Sequence, residues 1–308
     1  MKLLKFAEFV NEMLIIEGGN AIEESRPLEQ YEIDGTYDFV VKKIFSLLGL
    51  VDGESAKPIG SYKKKLPNQT SGDIDIACHV ETMAGFAGIS VDFVEILNWM
   101  DSTLKKAGFQ TVVSFGFKQI SIGTPIEGKT KNGIAQVDLM LTEDMEWSTF
   151  MYHSPDFTKA ESKYKGMYRN VLLTSIISEG TKKTVKKTDK GEIEEYEHQV
   201  IHLEKGLAST RKSLMGKKGL IVKTATILKE FDKFITSTPS EVVKTAFGSE
   251  VAPSNVMTFE DIWRHFIDPK FIHKDKFDAI LNRFKIYILS SKVPVPTEVT
   301  ETYPNLFK

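Results

Sequence analysis

Hydrophobic and polar residues follow two different periods along this chain. The runs from Asp73 to Val80, from 111 to 126 and from 133 to 142 alternate in the manner of strands. The stretches 36–50 and 90–109 instead repeat their apolar positions at helical spacing, and Asn132-Gly133 marks a hairpin turn between the last two strand runs. This order of helix, loop, strand, helix and antiparallel strands predicts a mixed α/β (α+β) unit rather than a regular βαβ repeat.

The pattern changes at about residue 150. A helix is predicted from 160 to Gly180, a β-hairpin around Asp189 to Gly191, and further helices near 219–235, 258–267 and 275–290. We therefore expect two domains. Residues 1–150 form a mixed-sheet domain with N-terminal helices, and residues 151–308 form a mostly helical domain. Within the first domain, Ser90 is the predicted N-cap of the helix that ends at Gly108.

Composition favours a soluble intracellular protein. The N-terminal apolar residues at positions 3–14 are spaced as in an amphipathic helix, not as in a signal peptide, and no apolar run is long enough to span a membrane. The single cysteine, Cys78, excludes an intramolecular disulfide and a cysteine-based zinc site, and its apolar surroundings predict a buried, unreactive thiol. These features predict a cytoplasmic location.

Charge is unevenly distributed although the net charge is only −2. Residues 158–223 contain fifteen Lys and Arg against eight Asp and Glu, while the first fifty residues contain five basic and nine acidic residues. A basic region in a near-neutral protein is typical of a site for polyphosphate or nucleic acid. A solvated lysine-rich face explains the same counts, and the charges alone do not decide between them.

A set of small and acidic residues in the first half carries the candidate chemistry. Gly60 and Ser61 stand where an apolar segment turns into a loop, and a glycine lets a backbone approach a phosphate closely. After eleven intervening residues, Asp73 and Asp75 share one face of a strand because strand side chains alternate. Asp138 interrupts a third, apolar strand, where a carboxylate needs a cationic or metal partner. Three such oxygen donors suit Mg²⁺, whereas the Asp-x-Asp pair alone is equally explained by an exposed edge strand.

This arrangement resembles the DNA polymerase β-like nucleotidyltransferase superfamily, with Gly-Ser at the end of one strand, Asp-x-Asp on the next and a third carboxylate on a later strand. The resemblance covers about residues 36–145. It implies that Asp73 and Asp75 hold two Mg²⁺ or Mn²⁺ ions, that Asp138 binds the catalytic ion and helps to activate an acceptor hydroxyl, and that Gly60 and Ser61 bind a nucleoside triphosphate (ATP among the candidates).

More loosely, the chain is similar to uncharacterised nucleotidyltransferases encoded by bacteriophages. The blocks that carry this similarity are "GGNAI", "GSYKKK…TSGDIDIA" and "SKYKGMYRNVLLTSI". A phage-encoded protein of this kind would act in the cytoplasm of the host.

The segment after the catalytic strands supplies further nucleotide-binding candidates. In polymerase β-like enzymes a helical segment at this place contributes cations to the β- and γ-phosphates. On a helix, Lys165 and Arg169 would share a face, and Ser162 would add a hydroxyl to it. A plain solvated face is the alternative for these residues. His153 is either a substrate contact or part of an interdomain hinge with Ser154-Pro155.

The acceptor is the least determined part of the hypothesis. The basic region 158–223 favours template-independent transfer to an RNA 3′ end, tRNA included, with Arg211 and Lys212 as weaker contacts. A protein, a small molecule or another nucleotide, giving a signal molecule, remain open as acceptors. A non-catalytic nucleotide-binding or nucleic-acid-binding protein is the alternative to an enzyme, although such a protein has no need to keep three like charges together. The sequence gives no indication of the oligomeric state.

Overall fold

The computed structural model describes residues 21–178, 182–188, 191–216, 226–291 and 293–306. The predicted amphipathic helix at residues 3–14 lies outside these ranges. The chain divides into two compact units, and among the described residues one unit ends at Gly166 and the other begins at Met167.

Helices and strands alternate irregularly through the first unit and separate more clearly in the second. The strands are β1 (Leu28–Glu29), β2 (Ala56–Pro58), β3 (Thr70–Ser71), β4 (Asp73–His79), β5 (Gln110–Ser114), β6 (Gln119–Pro125), β7 (Ile134–Thr142), β8 (Lys182–Thr188), β9 (Gly191–His202), β10 (Gly206–Gly216) and β11 (Thr226–Thr236). The α-helices are α1 (Ile33–Phe39), α2 (Ser46–Leu48), α3 (Val80–Ala87), α4 (Phe93–Lys106), α5 (Met145–Met151), α6 (Gly166–Ile177), α7 (Pro239–Phe247), α8 (Phe259–Ile267), α9 (Phe277–Ser291) and α10 (Thr297–Thr302), with π-helical residues Val40–Phe45 joining α1 to α2.

A five-stranded mixed sheet in the order β2-β4-β7-β6-β5 organises the first unit. β4 and β7 are parallel neighbours, and the other pairs are antiparallel. The predicted α+β fold class is confirmed, as are the strand runs at Asp73 to Val80 and at 133–142, whereas the run from 111 to 126 is a hairpin of two strands, β5 and β6. The parallel contact forms because the chain leaves β4 through α3 and α4 and returns to β7 through the β5–β6 hairpin.

One face of this sheet carries the main hydrophobic core. Alternation in β4 and β7 points six apolar side chains to that face, where they are almost fully buried: Ile74, Ile76, Cys78, Val137, Leu139 and Leu141. Helices α1 to α4 contribute apolar residues to the same cluster. Each fully buried Ile or Leu stabilises the fold by about 1.5–3 kcal/mol relative to an exposed one, so the core holds this sheet face firmly in place.

Helix α4 covers this core with the face that the sequence pattern predicts. Its buried residues recur at spacings of three and four, as Ile96, Leu97, Met100 and Leu104. The predicted Ser90 cap is wrong, because the carboxylate of Asp92 accepts a hydrogen bond from the Glu95 backbone N–H at 2.9 Å.

The opposite face of the sheet is divided between polar and apolar residues. Toward the ends of β4 and β7, Ala77 and Met140 are buried in a small cluster with Ile59, and Met145 and Tyr152 pack against it. The earlier residues on this face are polar instead. This polar half of the face contains the candidate site.

The second unit combines helices with a four-stranded antiparallel sheet in the order β11-β10-β9-β8. The predicted hairpin around Asp189 to Gly191 is confirmed by the pairing of β8 with β9, and α8 and α9 confirm two of the predicted helices. The helix predicted near 219–235 is wrong, because its described part is strand β11, paired with β10. The apolar residues of this segment have helical spacing, but pairing with the preceding strand β10 overrides such a local preference.

Candidate metal centre

Three aspartates meet on the polar half of the sheet. Asp75 on β4 is aligned with Asp138 on the parallel strand β7, and Asp73 precedes Asp75 by one side-chain repeat on the same face. One carboxylate oxygen from each residue lies within 4.8 Å of the others. The parallel register therefore brings together two carboxylates that are more than sixty residues apart in the sequence.

The environment of the triad makes its negative charges unfavourable. Burial, with the neighbouring charge of Asp73, raises the pKa of Asp138 to about 7, and Asp138 is only 2% exposed. Burial, with Asp73 and Asp138, also raises the pKa of Asp75 well above its ordinary value, and Lys65 opposes this shift. At an effective dielectric constant of about 20, two unit charges 4.8 Å apart repel by about 3.5 kcal/mol. A cation between the carboxylates would offset that repulsion.

Polar neighbours hold Asp138 in place, and sequence reasoning missed them. Gln136 Nε2 lies 3.0 Å from both carboxylate oxygens of Asp138. Ser121 faces Asp138 across the β6–β7 pair, and hydrogen bonds from Ser121, Gln136 and Gln119 lower the pKa of Asp138 against the effect of burial. A signal was present, since these polar residues recur with a period of two in otherwise apolar strands.

The triad fits a divalent cation. All three donors are carboxylates, the ligands that hard ions such as Mg²⁺ and Mn²⁺ prefer. Asp75 Oδ1 is buried and has no hydrogen-bond partner among the residues that the structure describes. A buried oxygen of this kind is costly unless something binds it, and a metal ion would do so.

Gly60 packs directly against the triad. Its φ of +62° is in the left-handed region, and a Cβ there would lie 2.6 Å from Asp75 Oδ2. Its position follows from β2, because Ile59 N donates to Asp75 O at 2.9 Å. The Gly60 N–H donates to Tyr152 O at 3.0 Å and is therefore not available to a phosphate. The half-buried Ser61 follows it, and within the described part of the chain its hydroxyl makes no hydrogen bond.

The three lysines after Ser61 have separate contacts. Lys63 forms an ion pair with Asp34 at 2.6 Å, and Lys64 Nζ donates to Ser154 O at 2.8 Å. Lys65 Nζ donates to Thr70 O at 3.0 Å, and its charge acts on Asp75. Lys65 is therefore the lysine whose charge acts on the carboxylates.

The segment that follows α5 supports the Gly-Ser turn. His153 pairs with Gly60 through an isolated backbone bridge, and Phe157 N donates to Lys64 O at 2.8 Å. Gly166 lies against the same segment, where a Cβ would be 2.3 Å from the His153 carbonyl oxygen. The backbone of His153 thus helps to position the turn.

The structure does not assemble Ser162, Lys165 and Arg169 on one helix face. Helix α6 begins at Gly166, after Ser162 and the exposed Lys165, and the Ser162 hydroxyl accepts a hydrogen bond from Tyr164 N at 2.9 Å. Arg169 belongs to the second unit, where it is 1% exposed. Its Nε donates to Val256 O at 2.7 Å, and burial lowers its pKa to about 9. The shared-face argument for Lys165 and Arg169 is therefore wrong.

Two other predictions can be compared with the structure. Cys78 is fully buried in the main core, and burial raises the pKa of its thiol, as the sequence predicts. No helix in the described ranges combines the length and the apolar character needed to cross a membrane.

Residues 217–223 of the basic run, and the side chains of Arg211 and Lys212, lie outside what the structure describes.

Comparison with known proteins gives little further information. No family model and no curated protein matches the chain. Among solved structures, Leishmania infantum polymerase beta in a ternary gap complex aligns with a TM-score of 0.30 and 12% sequence identity. The alignment covers 55% of this chain and 51% of that chain, so the chain spans about half of the length of this neighbour. The three-carboxylate site and its neighbours are the basis for any statement about function.

Proposed function

We propose that the chain is a metal-dependent nucleotidyltransferase, which transfers a nucleoside monophosphate from a triphosphate to an acceptor hydroxyl. The observation that carries this proposal is the triad Asp73, Asp75 and Asp138, whose carboxylate oxygens lie within 4.8 Å of one another on adjacent parallel strands. Gly60, packed on Asp75 and followed by the accessible hydroxyl of Ser61, supports it.

Each residue has a proposed role in this reaction. Asp73 and Asp75 would hold two Mg²⁺ or Mn²⁺ ions and Asp138 one of them, and the ions would neutralise phosphate charge and stabilise the attacking and leaving oxygens. Ser61 would bind the triphosphate with its hydroxyl. Asp138 would orient the acceptor hydroxyl and take its proton on a carboxylate oxygen.

The proposed transfer forms one bond to phosphorus and breaks one. The acceptor oxygen forms a bond to the α-phosphorus while the bond from that phosphorus to the oxygen of the β-phosphate breaks, and pyrophosphate leaves. No covalent intermediate on the protein is required, so the contribution of the chain is positioning and electrostatics.

The proposed acceptor is an RNA 3′ end, tRNA included. The basic excess of residues 158–223 supports it, since phosphate backbones bind to such regions. In this proposal residues 1–150 carry the catalytic groups and residues 151–308 serve nucleotide or acceptor binding. The loose similarity to bacteriophage enzymes rests on short sequence blocks and does not bear on the acceptor.

Incubation with Mg²⁺ or Mn²⁺ and each α-labelled triphosphate, with and without total RNA, tests the proposal. Label in RNA supports the RNA acceptor. Label in the protein indicates protein modification, and label in small products indicates a signal synthase or a small-molecule acceptor. No transfer with any acceptor, together with retained nucleotide binding, indicates a non-catalytic binding protein.

Asp75→Asn tests the site within that assay, with Asp101→Asn as the control. Asp101 lies on α4 and is not part of the triad, and its carboxylate accepts hydrogen bonds from Lys105 and Thr111. We expect Asp75→Asn to abolish transfer and Asp101→Asn to retain it. Equal transfer by Asp75→Asn and the unmodified protein would contradict the site assignment.

A further inference from the structure

Gln136 connects the triad to the chain segment at residues 21–22. It lies on β7, one side-chain repeat before Asp138, and is 3% exposed. Its Nε2 lies 3.0 Å from both oxygens of Asp138, while its Oε1 accepts the backbone N–H groups of Ala21 at 2.8 Å and Ile22 at 3.3 Å. Both ends of this amide are therefore engaged, Oε1 by the backbone of residues 21–22 and Nε2 by Asp138.

The backbone donors determine which way the Gln136 amide faces. A glutamine side chain has one oxygen that only accepts and one nitrogen that only donates. The N–H groups of Ala21 and Ile22 can be accepted only by the oxygen, so the nitrogen must face Asp138. In the opposite orientation, the amide oxygen of Gln136 would lie against the carboxylate oxygens of Asp138. Its NH₂ group would then lie against the backbone N–H groups of Ala21 and Ile22, and neither contact would be a hydrogen bond.

The segment that orients Gln136 is itself anchored. Arg26 N donates to Ile134 O at 2.9 Å, at the start of β7. The Arg26 guanidinium donates to Asn132 O at 2.9 Å and to the carboxylate of the buried Glu32 at 2.6 Å. Ile22 packs on Gly123 of β6, where a Cβ would lie 3.3 Å from its Cγ2 atom. The segment therefore stays on the sheet when the Gln136 contact is removed.

We propose that Gln136 is a positioning residue for Asp138, oriented by the backbone of Ala21 and Ile22. This proposal rests on the proposed function, because it concerns the carboxylate assigned to bind metal and to activate the acceptor. With both oxygens held by one Nε2 group, the carboxylate of Asp138 keeps a single orientation toward Asp75. Gln136 acts through Asp138 and is not assigned a contact with the substrate.

The expected effects separate this role from a merely structural one. Groups that orient a metal-binding carboxylate typically change metal affinity or activity by about 10- to 100-fold when they are lost. Gln136→Met should therefore weaken Mn²⁺ binding by at least about 10-fold and lower kcat similarly. The KM for the triphosphate should change by less than about 3-fold, because an interaction that matters in the transition state affects kcat first.

The experiment uses the full chain and compares four proteins: unmodified, Gln136→Met, Gln136→Asn and Arg26→Met. Mn²⁺ affinity is measured by titration with the metal alone, kcat and KM by transfer of α-labelled nucleotide, and stability by urea unfolding. Gln136→Asn keeps a polar amide in the buried site but is one methylene shorter, so it provides a second test if Gln136→Met does not fold. Arg26→Met weakens the anchor of the same segment and leaves Asp138 untouched.

We expect both Gln136 variants to lose Mn²⁺ affinity and kcat, and Arg26→Met to lose stability with a change in Mn²⁺ affinity below about 2-fold. If a folded Gln136 variant matches the unmodified protein in Mn²⁺ affinity and kcat, or if Arg26→Met reproduces the loss, Gln136 is only structural. If the unmodified protein neither binds Mn²⁺ nor transfers label, the proposed function is overturned, and the role of Gln136 falls with it.

Discussion

Asp138→Asn should stabilise the metal-free protein at high pH and reduce its stabilisation by metal. In the fold, burial and the charge of Asp73 raise the pKa of Asp138 from 3.8 to about 7. The unfolded chain has the ordinary pKa, so between about pH 4 and pH 7 the unfolded state loses a proton that the folded state keeps. The free energy of unfolding therefore falls as the pH rises through this window and is constant with respect to this group above it.

The magnitude follows from the same two pKa values. A tenfold change in acidity is worth about 1.4 kcal/mol, so the difference between 3.8 and about 7 corresponds to about 4 kcal/mol above pH 7. Asparagine does not ionise, but its amide satisfies Gln136 Nε2 with one oxygen instead of two, which costs about 1 kcal/mol. We expect Asp138→Asn to raise the free energy of unfolding by about 2–3 kcal/mol at pH 8 and by less at pH 5.

Metal binding should stabilise the folded protein, whereas ionisation of Asp138 without metal destabilises it. A ligand that binds only the folded state at 100 times its Kd adds about 2.7 kcal/mol of stability. At that concentration Mn²⁺ should therefore stabilise the unmodified protein by about this amount at pH 8 and should stabilise Asp138→Asn less, because Asp73 and Asp75 remain as ligands. The assay is urea unfolding at several pH values, with and without Mn²⁺, followed by tryptophan fluorescence, to which Trp147, buried in the same unit as the triad, contributes.

Asp101→Asn is a control whose expected effect on the free energy of unfolding is opposite in sign to that of Asp138→Asn. Burial works against its ionisation, but hydrogen bonds from Thr111 and Lys105 outweigh burial and lower the pKa of Asp101. Its loss should reduce stability above pH 4 and leave the effect of Mn²⁺ unchanged. The reasoning about Asp138 is refuted if Asp138→Asn destabilises the protein equally at pH 5 and pH 8, or if Mn²⁺ stabilises both proteins equally.

Two further tests address other parts of the structure: Gly60→Ala with Gly53→Ala as its control, and Arg169→Leu. Gly60→Ala and Gly53→Ala both place a side chain at a positive φ, at a cost of about 1–2 kcal/mol each, but only position 60 meets Asp75. Mn²⁺ titration should show weaker binding for Gly60→Ala alone, and equal affinities would contradict the packing argument. Arg169→Leu should lower the free energy of unfolding by about 1–3 kcal/mol because it leaves the Val256 carbonyl without its donor, with Mn²⁺ affinity unchanged. An unchanged stability with a raised KM for the triphosphate would instead make Arg169 a nucleotide contact.

Features with a local period could be predicted from the sequence. The alternation in "DIDI" places Asp73 and Asp75 on one strand face, because side chains in a strand alternate whatever the partner strand is. The helical period from 90 to 109 similarly defines which face of α4 is buried. A charged residue in an apolar strand singled out Asp138, because such a residue is costly without a partner.

Features that depend on pairing or packing with other parts of the chain could not be predicted in the same way. The segment of β11 has the spacing of a helix, and only pairing with β10 makes it a strand. From the sequence Arg169 is expected to be a surface cation, but in the second unit it is buried and donates to the Val256 carbonyl. Long-range packing decides such cases because burial and pairing energies exceed the small intrinsic preferences of the residues.

The carboxylate site itself shows both contributions. Its three aspartates and the adjacent Gly60 are evident in the sequence, as residue types whose chemistry suits a metal and a phosphate. That Asp75 lies beside Asp138, and that Gln136 joins Asp138 to Ala21, was decided by the parallel pairing of β4 with β7 and by the return of residues 21–26 to the sheet. Residue chemistry is local, whereas the distance between two charges is a property of the folded chain.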